Sequence, residues 1–142
     1  MLLVSALYFS EVVDLDDPSE FRSRVGSIMD ASARNNPKLG LTGALIFENK
    51  RFLQVLEGPR DAVSAMLARI MRDPRHVNFV MADFSEVSQR RFAHWCMSYV
   101  DADTVPAELG RLPDLDVAPA DTLYARIDAV LASPVRIQVA AA

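Results

Sequence analysis

The residue that fits an ordinary hydrophobic core least well in this chain is Gln54, which lies within an apolar run from residue 52 to residue 56. Burying an amide without partners costs roughly 2 kcal/mol, so we expect its side chain to form hydrogen bonds. Strand alternation places Gln54 on the same face as Phe52 and Leu56. Tyr8, near the end of the first apolar segment, offers a phenol hydroxyl. A buried amide and a phenol can together bind a ligand whose edge both donates and accepts hydrogen bonds.

Further polar side chains cluster at the ends of two predicted helices. Taken singly, each has an ordinary structural explanation. The asparagines could cap a helix, Arg69 and Asp73 could form a surface pair four residues apart, and the remaining residues could be core. Taken together, they predict a pocket between two helices that suits a flat heterocycle with a polar edge. The helix residues are Ser32, Asn35, Asn36, Arg69 and Asp73, and Trp95 and Met97 join them from one face of the predicted fifth strand.

The elements that must position these residues follow from hydrophobic periodicity. We expect strands over residues 2–8, 41–48, 51–57, 77–84 and 92–100, with Asn49 and Lys50 forming a hairpin turn. One helix should begin at Asp17 and run to about Asn35, where the proline at position 37 should end it. A second should run from residue 59 to residue 73. This order predicts an α+β, ferredoxin-like βαββαβ fold with an additional fifth strand and two helices on one sheet face.

The composition becomes acidic and rich in proline after Tyr99. We therefore divide the chain into a domain over residues 1–100 and a linker with a helical extension over residues 101–142. Residues 121–132 carry Leu123, Ile127, Val130 and Leu131 on one side of a predicted helix. A helix with one apolar stripe must cover something, so we expect it on the sheet face opposite the first two helices.

The 142 residues include 51% hydrophobic residues and carry a net charge of -4, which predicts one folded domain without the basic surface that nucleic acid requires. No apolar stretch reaches the roughly 18 to 20 residues that cross a bilayer. A single cysteine, Cys96, and two histidines predict no metal site. Together with the absence of a signal segment, these features predict a cytoplasmic protein. No nucleophile motif or phosphate loop is present, so we expect that it is not an enzyme.

Over about residues 1–100 the sequence resembles the BLUF family of flavin-binding blue-light receptors. The similarity rests on six segments in a characteristic order and spacing. These are Leu7-Tyr8-Phe9-Ser10, Ser32-Ala33-Arg34-Asn35-Asn36, Leu41-Thr42-Gly43, Phe52-Leu53-Gln54-Val55-Leu56-Glu57-Gly58, Asp73-Pro74-Arg75-His76 and Phe92-Ala93-His94-Trp95-Cys96-Met97.

The resemblance implies a flavin held without a covalent bond, FAD by analogy with FMN or riboflavin as alternatives, and it assigns the flavin's contacts. Ile28 and Ile70 would pack on the two faces of the ring, and Asn36 would hold its pyrimidine edge. Gln54 would bridge the ring and the Tyr8 hydroxyl. The other implied contacts are Arg69 at a ring carbonyl, Asn35 and Asp73 at the ring edge or ribityl chain, and Ser10, Ser32 and His76 as further pocket residues.

The resemblance also implies a light-driven reaction. Excited flavin would take an electron and then a proton from Tyr8, the radical pair would recombine, and Gln54 would rotate or tautomerise to give a red-shifted state. Trp95 and Met97 on the fifth strand would relay the change. About 40 further residues are too few for an effector domain, so we expect output to a protein partner in trans, and a homodimer is compatible with the apolar surface.

Two other functions remain open on the sequence. One is a flavin-free ferredoxin-like module that binds a ligand or a protein partner. The other is a small enzyme of the acylphosphatase kind, which would need an arginine in the loop after the first strand, and residues 10–13 contain none. Colour separates the three, because only the photoreceptor should purify yellow.

Overall fold

A computed structural model of the protein describes residues 2–13, 16–101, 114–132 and 137–140, with backbone alone for Trp95 and for residues 137–140. The elements follow the predicted order and continue into the C-terminal part. They are β1 (Leu3–Val12), α1 (Pro18–Leu39), β2 (Thr42–Glu48), β3 (Arg51–Pro59), α2 (Arg60–Met71), β4 (His76–Glu86), β5 (Trp95–Asp101), α3 (Ala120–Leu131) and β6 (Ile137–Ala140).

The strands form one mixed sheet in the order β4-β1-β3-β2-β5-β6. The first four have the ferredoxin-like arrangement, and β5 adds parallel to β2 as the predicted extra strand. Strand β6, which pairs antiparallel with β5, was not predicted from the sequence. Four residues are too few to show a strand periodicity. The predicted boundary at residue 101 falls beside residues 102–113, which lie outside the described residues, so the domain division stays a prediction.

The start of α1 was predicted correctly and its end was not. The Asp17 carboxylate accepts hydrogen bonds from the Ser19 and Glu20 backbone and caps the helix. The helix then continues through Pro37 to Leu39, because Gly40 takes a left-handed conformation with φ of 70°. Leu41 N–H donates to the Asn36 carbonyl at 2.9 Å and Gly40 N–H donates to the Pro37 carbonyl at 3.3 Å. These cap bonds offset the bond that proline lacks, so Asn36 lies inside the helix.

The sheet separates two hydrophobic cores, as predicted. Helices α1 and α2 cover one face, and α3 covers the other. Tyr8, Phe52, Leu56 and Met97 belong to the α1/α2 core. Leu7, Leu53 and Val55 face α3 together with its apolar stripe of Leu123, Ile127, Val130 and Leu131. The alternation expected for β3 is therefore confirmed.

The hairpin between β2 and β3 fixes the register at the centre of the sheet. Asn49 and Lys50 both have positive φ, at 50° and 64°, as a tight two-residue turn requires. The resulting register places Gln54 opposite Leu45 on one side and opposite Tyr8 on the other. Gln54 and Tyr8 are therefore cross-strand neighbours on the α1/α2 face.

Candidate functional site

A cavity of about 230 Å³ opens between α1 and α2 above the central strands. Of the eleven residues that the family resemblance assigns to the flavin, ten lie on its wall, and Met97 joins them. They are Tyr8, Ile28, Ser32, Asn35, Asn36, Gln54, Arg69, Ile70, Asp73 and His76. Ser10 does not line the cavity. It is fully buried, and its hydroxyl has no hydrogen-bond partner among the described residues.

The floor of the cavity carries a chain of contacts from Tyr8 through Gln54 to Met97. The Tyr8 hydroxyl donates a hydrogen bond to Gln54 Oε1, and Gln54 Nε2 lies 3.6 Å from Met97 Sδ. Burial, and secondarily the negative charge of Asp73, raises the pKa of Tyr8 well above its usual value. The phenol therefore stays protonated and keeps donating to Gln54. Trp95, predicted to share this face of β5 with Met97, has a side chain outside the described residues.

Asn36 connects α1 to β5. Its side chain is buried, and Nδ2 donates to the Cys96 carbonyl at 2.8 Å. The sequence did not predict this bond, because the two residues are 60 positions apart. Ser32, one turn earlier, donates instead to the Ile28 carbonyl of its own helix at 2.9 Å. Asn36 thus belongs both to the cavity wall and to the interface between α1 and β5.

Asp73 forms its ion pair with Arg75, so the alternative of a pair with Arg69 is wrong. Its carboxylate accepts from Arg75 Nε at 2.9 and 3.0 Å and from the Arg75 backbone at 3.0 Å. These bonds lower the pKa of Asp73 below its usual value. Arg69 has no ion-pair partner among the described residues and remains on the cavity wall.

His76 offers an acceptor that the described residues leave unused. Its Nε2 lies 2.6 Å from the Ile70 carbonyl, so Nε2 carries the proton and donates. In the neutral ring Nδ1 is then an acceptor, and this buried atom has no partner among the described residues. Because His76 lines the cavity, a ligand with a hydroxyl or N–H group would satisfy it.

Two arginines on the wall were missed by the sequence analysis. Arg24 is only 11% exposed and donates to the Val13 carbonyl at 2.7 Å, and Arg75 holds Asp73. The sequence could have indicated Arg24, because it lies four residues before Ile28 and therefore shares its helix face. Arg75 was quoted within a matching segment but not assigned a role. With Arg69, three guanidinium groups and one carboxylate line the cavity.

The donor set suits a planar heteroaromatic ligand. Ile28 and Ile70 come from the two helices that flank the cavity, and Leu45, Phe52 and Leu56 add apolar surface. Amides and guanidinium groups supply hydrogen bonds toward a polar edge. No group of three or more potential metal ligands occurs in the part of the chain that the structure describes. Among those residues, no helix is long and apolar enough to cross a membrane.

Comparison with known proteins identifies the family of this chain. Residues 3–98 match the model of the BLUF family, described as sensors of blue light using FAD. The chain belongs to the BLUF family. BLUF proteins are blue-light sensors that bind flavin, so flavin is the cofactor class that the family assigns to this chain.

Individual BLUF relatives agree with this assignment. The dark-state structure of BlrB, a BLUF protein, is 33% identical with a TM-score of 0.75, and the match covers 92% of this chain and 96% of BlrB. The photoactivated adenylate cyclase subunit beta of Euglena longa is 35% identical over 78 residues, or 54% of this chain. The blue light- and temperature-regulated antirepressor BluF of Escherichia coli is 31% identical over 100 residues, or 70% of this chain. The chain spans 9% and 24% of the lengths of these two curated relatives.

Proposed function

We propose that this BLUF domain binds FAD in the cavity between α1 and α2 and that Tyr8 and Gln54 are its photoactive pair. The observation that carries the proposal is the hydrogen bond from the buried Tyr8 hydroxyl to Gln54 Oε1 on the cavity floor. The phenol is buried and protonated, and its hydroxyl proton already points at an acceptor, the amide oxygen of Gln54. Ile28 and Ile70 would pack on the ring faces, and Asn36, Asn35 and Arg69 would bind its polar edge.

When bound, the flavin supplies blue-light absorption and a strong one-electron acceptor. Tyr8 is the proposed donor of the electron and of the phenolic proton. Gln54 is the proposed switch, because turning its amide exchanges donor and acceptor without changing charge. In the present orientation Oε1 accepts from Tyr8 and Nε2 faces the Met97 thioether. A reversed amide would present Oε1 to a sulfur that has no proton to donate, so Met97 would have to repack.

The charge on the cavity wall supports a phosphorylated flavin over riboflavin. The wall residues Arg24, Arg69, Arg75 and Asp73 carry a net charge of +2, and Glu20, which lies 4.0 Å from Arg24 outside the wall, reduces the local balance to +1. FAD and FMN carry phosphate and riboflavin does not, so we expect the flavin-free protein to bind both more tightly than riboflavin. The preference should weaken as salt is added. Titration of flavin fluorescence measures both effects.

The first experiment is an absorption spectrum of the purified protein in darkness and after blue light. We expect a flavin spectrum that shifts reversibly to the red. Tyr8→Phe should keep the flavin and lose the shift, because the phenol proton is gone. Tyr124→Phe is the matched control, since that tyrosine is also hydrogen-bonded but lies on the α3 face of the sheet. A normal shift in Tyr8→Phe would overturn the proposed photochemistry.

We further propose that the signal leaves through β5 and α3 to a protein partner in trans, and that the chain itself is not an enzyme. Two cavity residues touch β5 directly, Gln54 at Met97 and Asn36 at the Cys96 carbonyl. A small rearrangement needs an element with two packings to bias, and β5 lies against the site on one face and α3 on the other. Hydrogen exchange of both segments should differ between darkness and light. Identical exchange in both states would contradict this route.

A further inference from the structure

The ring of Tyr8 stacks on Phe79, a residue of the edge strand β4. The two ring centroids lie 4.6 Å apart and the planes are inclined by only 22°. Phe79 is partly buried against the α1/α2 core but does not line the cavity. It therefore contacts the Tyr8 ring without being part of the cavity wall. Of the aromatic rings near Tyr8, His76 is farther away, at 6.4 Å and an inclination of 53°.

An irregularity in β4 is what brings Phe79 to this face. Val77 pairs with Glu11 and Val80 pairs with Phe9, so β4 has one more residue than β1 in this interval. Asn78 occupies the bulge with a φ of 54°, and its Nδ2 donates to Glu11 Oε2 at 3.0 Å. Strict alternation from Val77 would send Phe79 to the α3 face. The extra residue shifts the alternation and turns Phe79 onto Tyr8.

A second irregularity lies on the other side of Tyr8. Met81 pairs with Tyr8 and Asp83 pairs with Leu7, so Ala82 is an additional residue in β4. Two bulges thus enclose the short segment of β4 that faces Tyr8. Bulges near functional sites commonly re-aim a side chain, and here the re-aimed side chain meets the proposed electron donor.

We propose that Phe79 is a positioning residue for Tyr8. This inference rests on the proposed function. The stack fixes the plane of the phenol, and the plane of the phenol fixes the direction in which its hydroxyl meets Gln54 Oε1. Without the Phe79 ring, Tyr8 occupies a wider range of orientations, and fewer of them hold the hydrogen bond that carries the proton. The yield of the red-shifted state per absorbed photon then falls.

The test compares Phe79→Leu, which keeps apolar volume and removes the ring, with Phe79→Tyr, which restores the ring. Phe84→Leu is the matched control, because Phe84 lies on the same face of β4 opposite Ala6, where it is 43% exposed. The initial rate of the spectral shift under weak blue light gives the yield per photon. Tyr8 ring-proton resonances of the flavin-free full chain report the stack itself.

We expect Phe79→Leu to lower the yield by about two- to tenfold, the range that an aromatic pair interaction supports. Its Tyr8 resonances should move as the neighbouring ring is lost, with the flavin affinity unchanged. Phe79→Tyr should restore the yield, and Phe84→Leu should leave it unchanged. A normal yield in Phe79→Leu, or an equal loss in Phe84→Leu, would overturn the positioning role alone. A wild-type protein that binds flavin without responding to light would instead overturn the proposed function.

Discussion

At the level of single residues, Gln54 is a buried polar group whose burial cost is offset by contacts at both ends of its amide. Its side chain is only 6% exposed, yet both ends of the amide have neighbours, a phenol on one side and a thioether on the other. Those neighbours are unequal, because the phenol can donate or accept whereas the thioether only accepts weakly. The two orientations of the amide therefore differ in energy, which is the property a switch requires.

Gln54→Leu should retain flavin and lose the light-induced red shift, because leucine has no donor or acceptor to exchange. It should also leave the buried Tyr8 hydroxyl without its acceptor, at a cost of about 1–3 kcal/mol in unfolding free energy. Light-minus-dark absorption and denaturant unfolding measure the two effects. Gln89→Leu, in an exposed position of the loop before β5, is the control. A preserved photocycle in Gln54→Leu would remove the glutamine from the mechanism.

Asp73→Asn should destabilise the protein at pH 7 by an amount that shrinks in acid. The hydrogen bonds from Arg75 lower the folded-state pKa of Asp73. A lowered carboxyl pKa stabilises the folded state above the unfolded value of about 3.9. That stabilisation is lost as the pH falls through the folded pKa. The difference in unfolding free energy between wild type and Asp73→Asn should therefore narrow below about pH 4. The difference between wild type and Arg75→Gln should narrow in the same range. A difference that stays constant from neutral pH into acid would contradict this account.

At the scale of elements, the close approach of β2 and β3 depends on a glycine. Gly43 pairs with Leu56 two residues beyond Gln54 on β3. A Cβ atom at position 43 would lie 2.0 Å from the Val55 carbonyl oxygen, which is backbone and cannot move aside alone. The strand that carries Gln54 is thus held where only glycine fits opposite it.

Gly43→Ala should be strongly destabilising, because β2 and β3 would have to separate in the middle of the sheet. Gly26→Ala is the matched control, since a Cβ there meets nothing within 4 Å and the position is helical. Alanine at that position should stabilise the protein by roughly 0.5–1 kcal/mol. Thermal unfolding of the two variants should move in opposite directions. Equal unfolding midpoints for Gly43→Ala and wild type would show that β2 and β3 can move apart without loss of stability.

At the scale of the whole molecule, α3 is joined to the sheet by polar contacts as well as by its apolar stripe. Arg126 Nη2 lies 3.0 Å from Glu48 Oε1, and their side chains are 6% and 2% exposed. The Tyr124 hydroxyl reaches Ser5 at 2.8 Å and Asp83 at 3.0 Å, and burial is the main cause that raises the pKa of Tyr124 to about 12. These contacts hold α3 against the sheet in this structure.

Arg126→Met should cost about 3–5 kcal/mol in unfolding free energy, because it removes a partner from a buried carboxylate. Adding Glu48→Met should recover much of the loss by removing that charge as well. The control is Asp128→Asn, which breaks a pair with Arg91 whose side chains are nearly half exposed and should cost less than about 1 kcal/mol. Denaturant unfolding gives all three values. A loss in Arg126→Met no larger than in Asp128→Asn would contradict a role for the buried pair.

From the sequence alone, the order of every element except β6 could be predicted, together with the faces of β3 and α3. Periods of two and of three to four residues assign a side chain to one side of a strand or helix, so Gln54, Tyr8 and the α3 stripe were placed correctly. The family resemblance then pointed to the wall residues that the fold brings together around the cavity. The facing of a side chain depends on the pattern of its near neighbours in sequence, which can be read without knowing the fold.

The contacts between distant elements become visible only in the folded chain. The Arg75 partner of Asp73, the bond from Asn36 to the Cys96 carbonyl and the stack of Phe79 on Tyr8 depend on register, caps and bulges. Pro37 shows the limit clearly, since a helix cap three residues later outweighed a proline that locally favours a stop. A bulge changes the facing of every residue beyond it without a marked change in composition, so periodicity could not predict which aromatic ring would meet Tyr8.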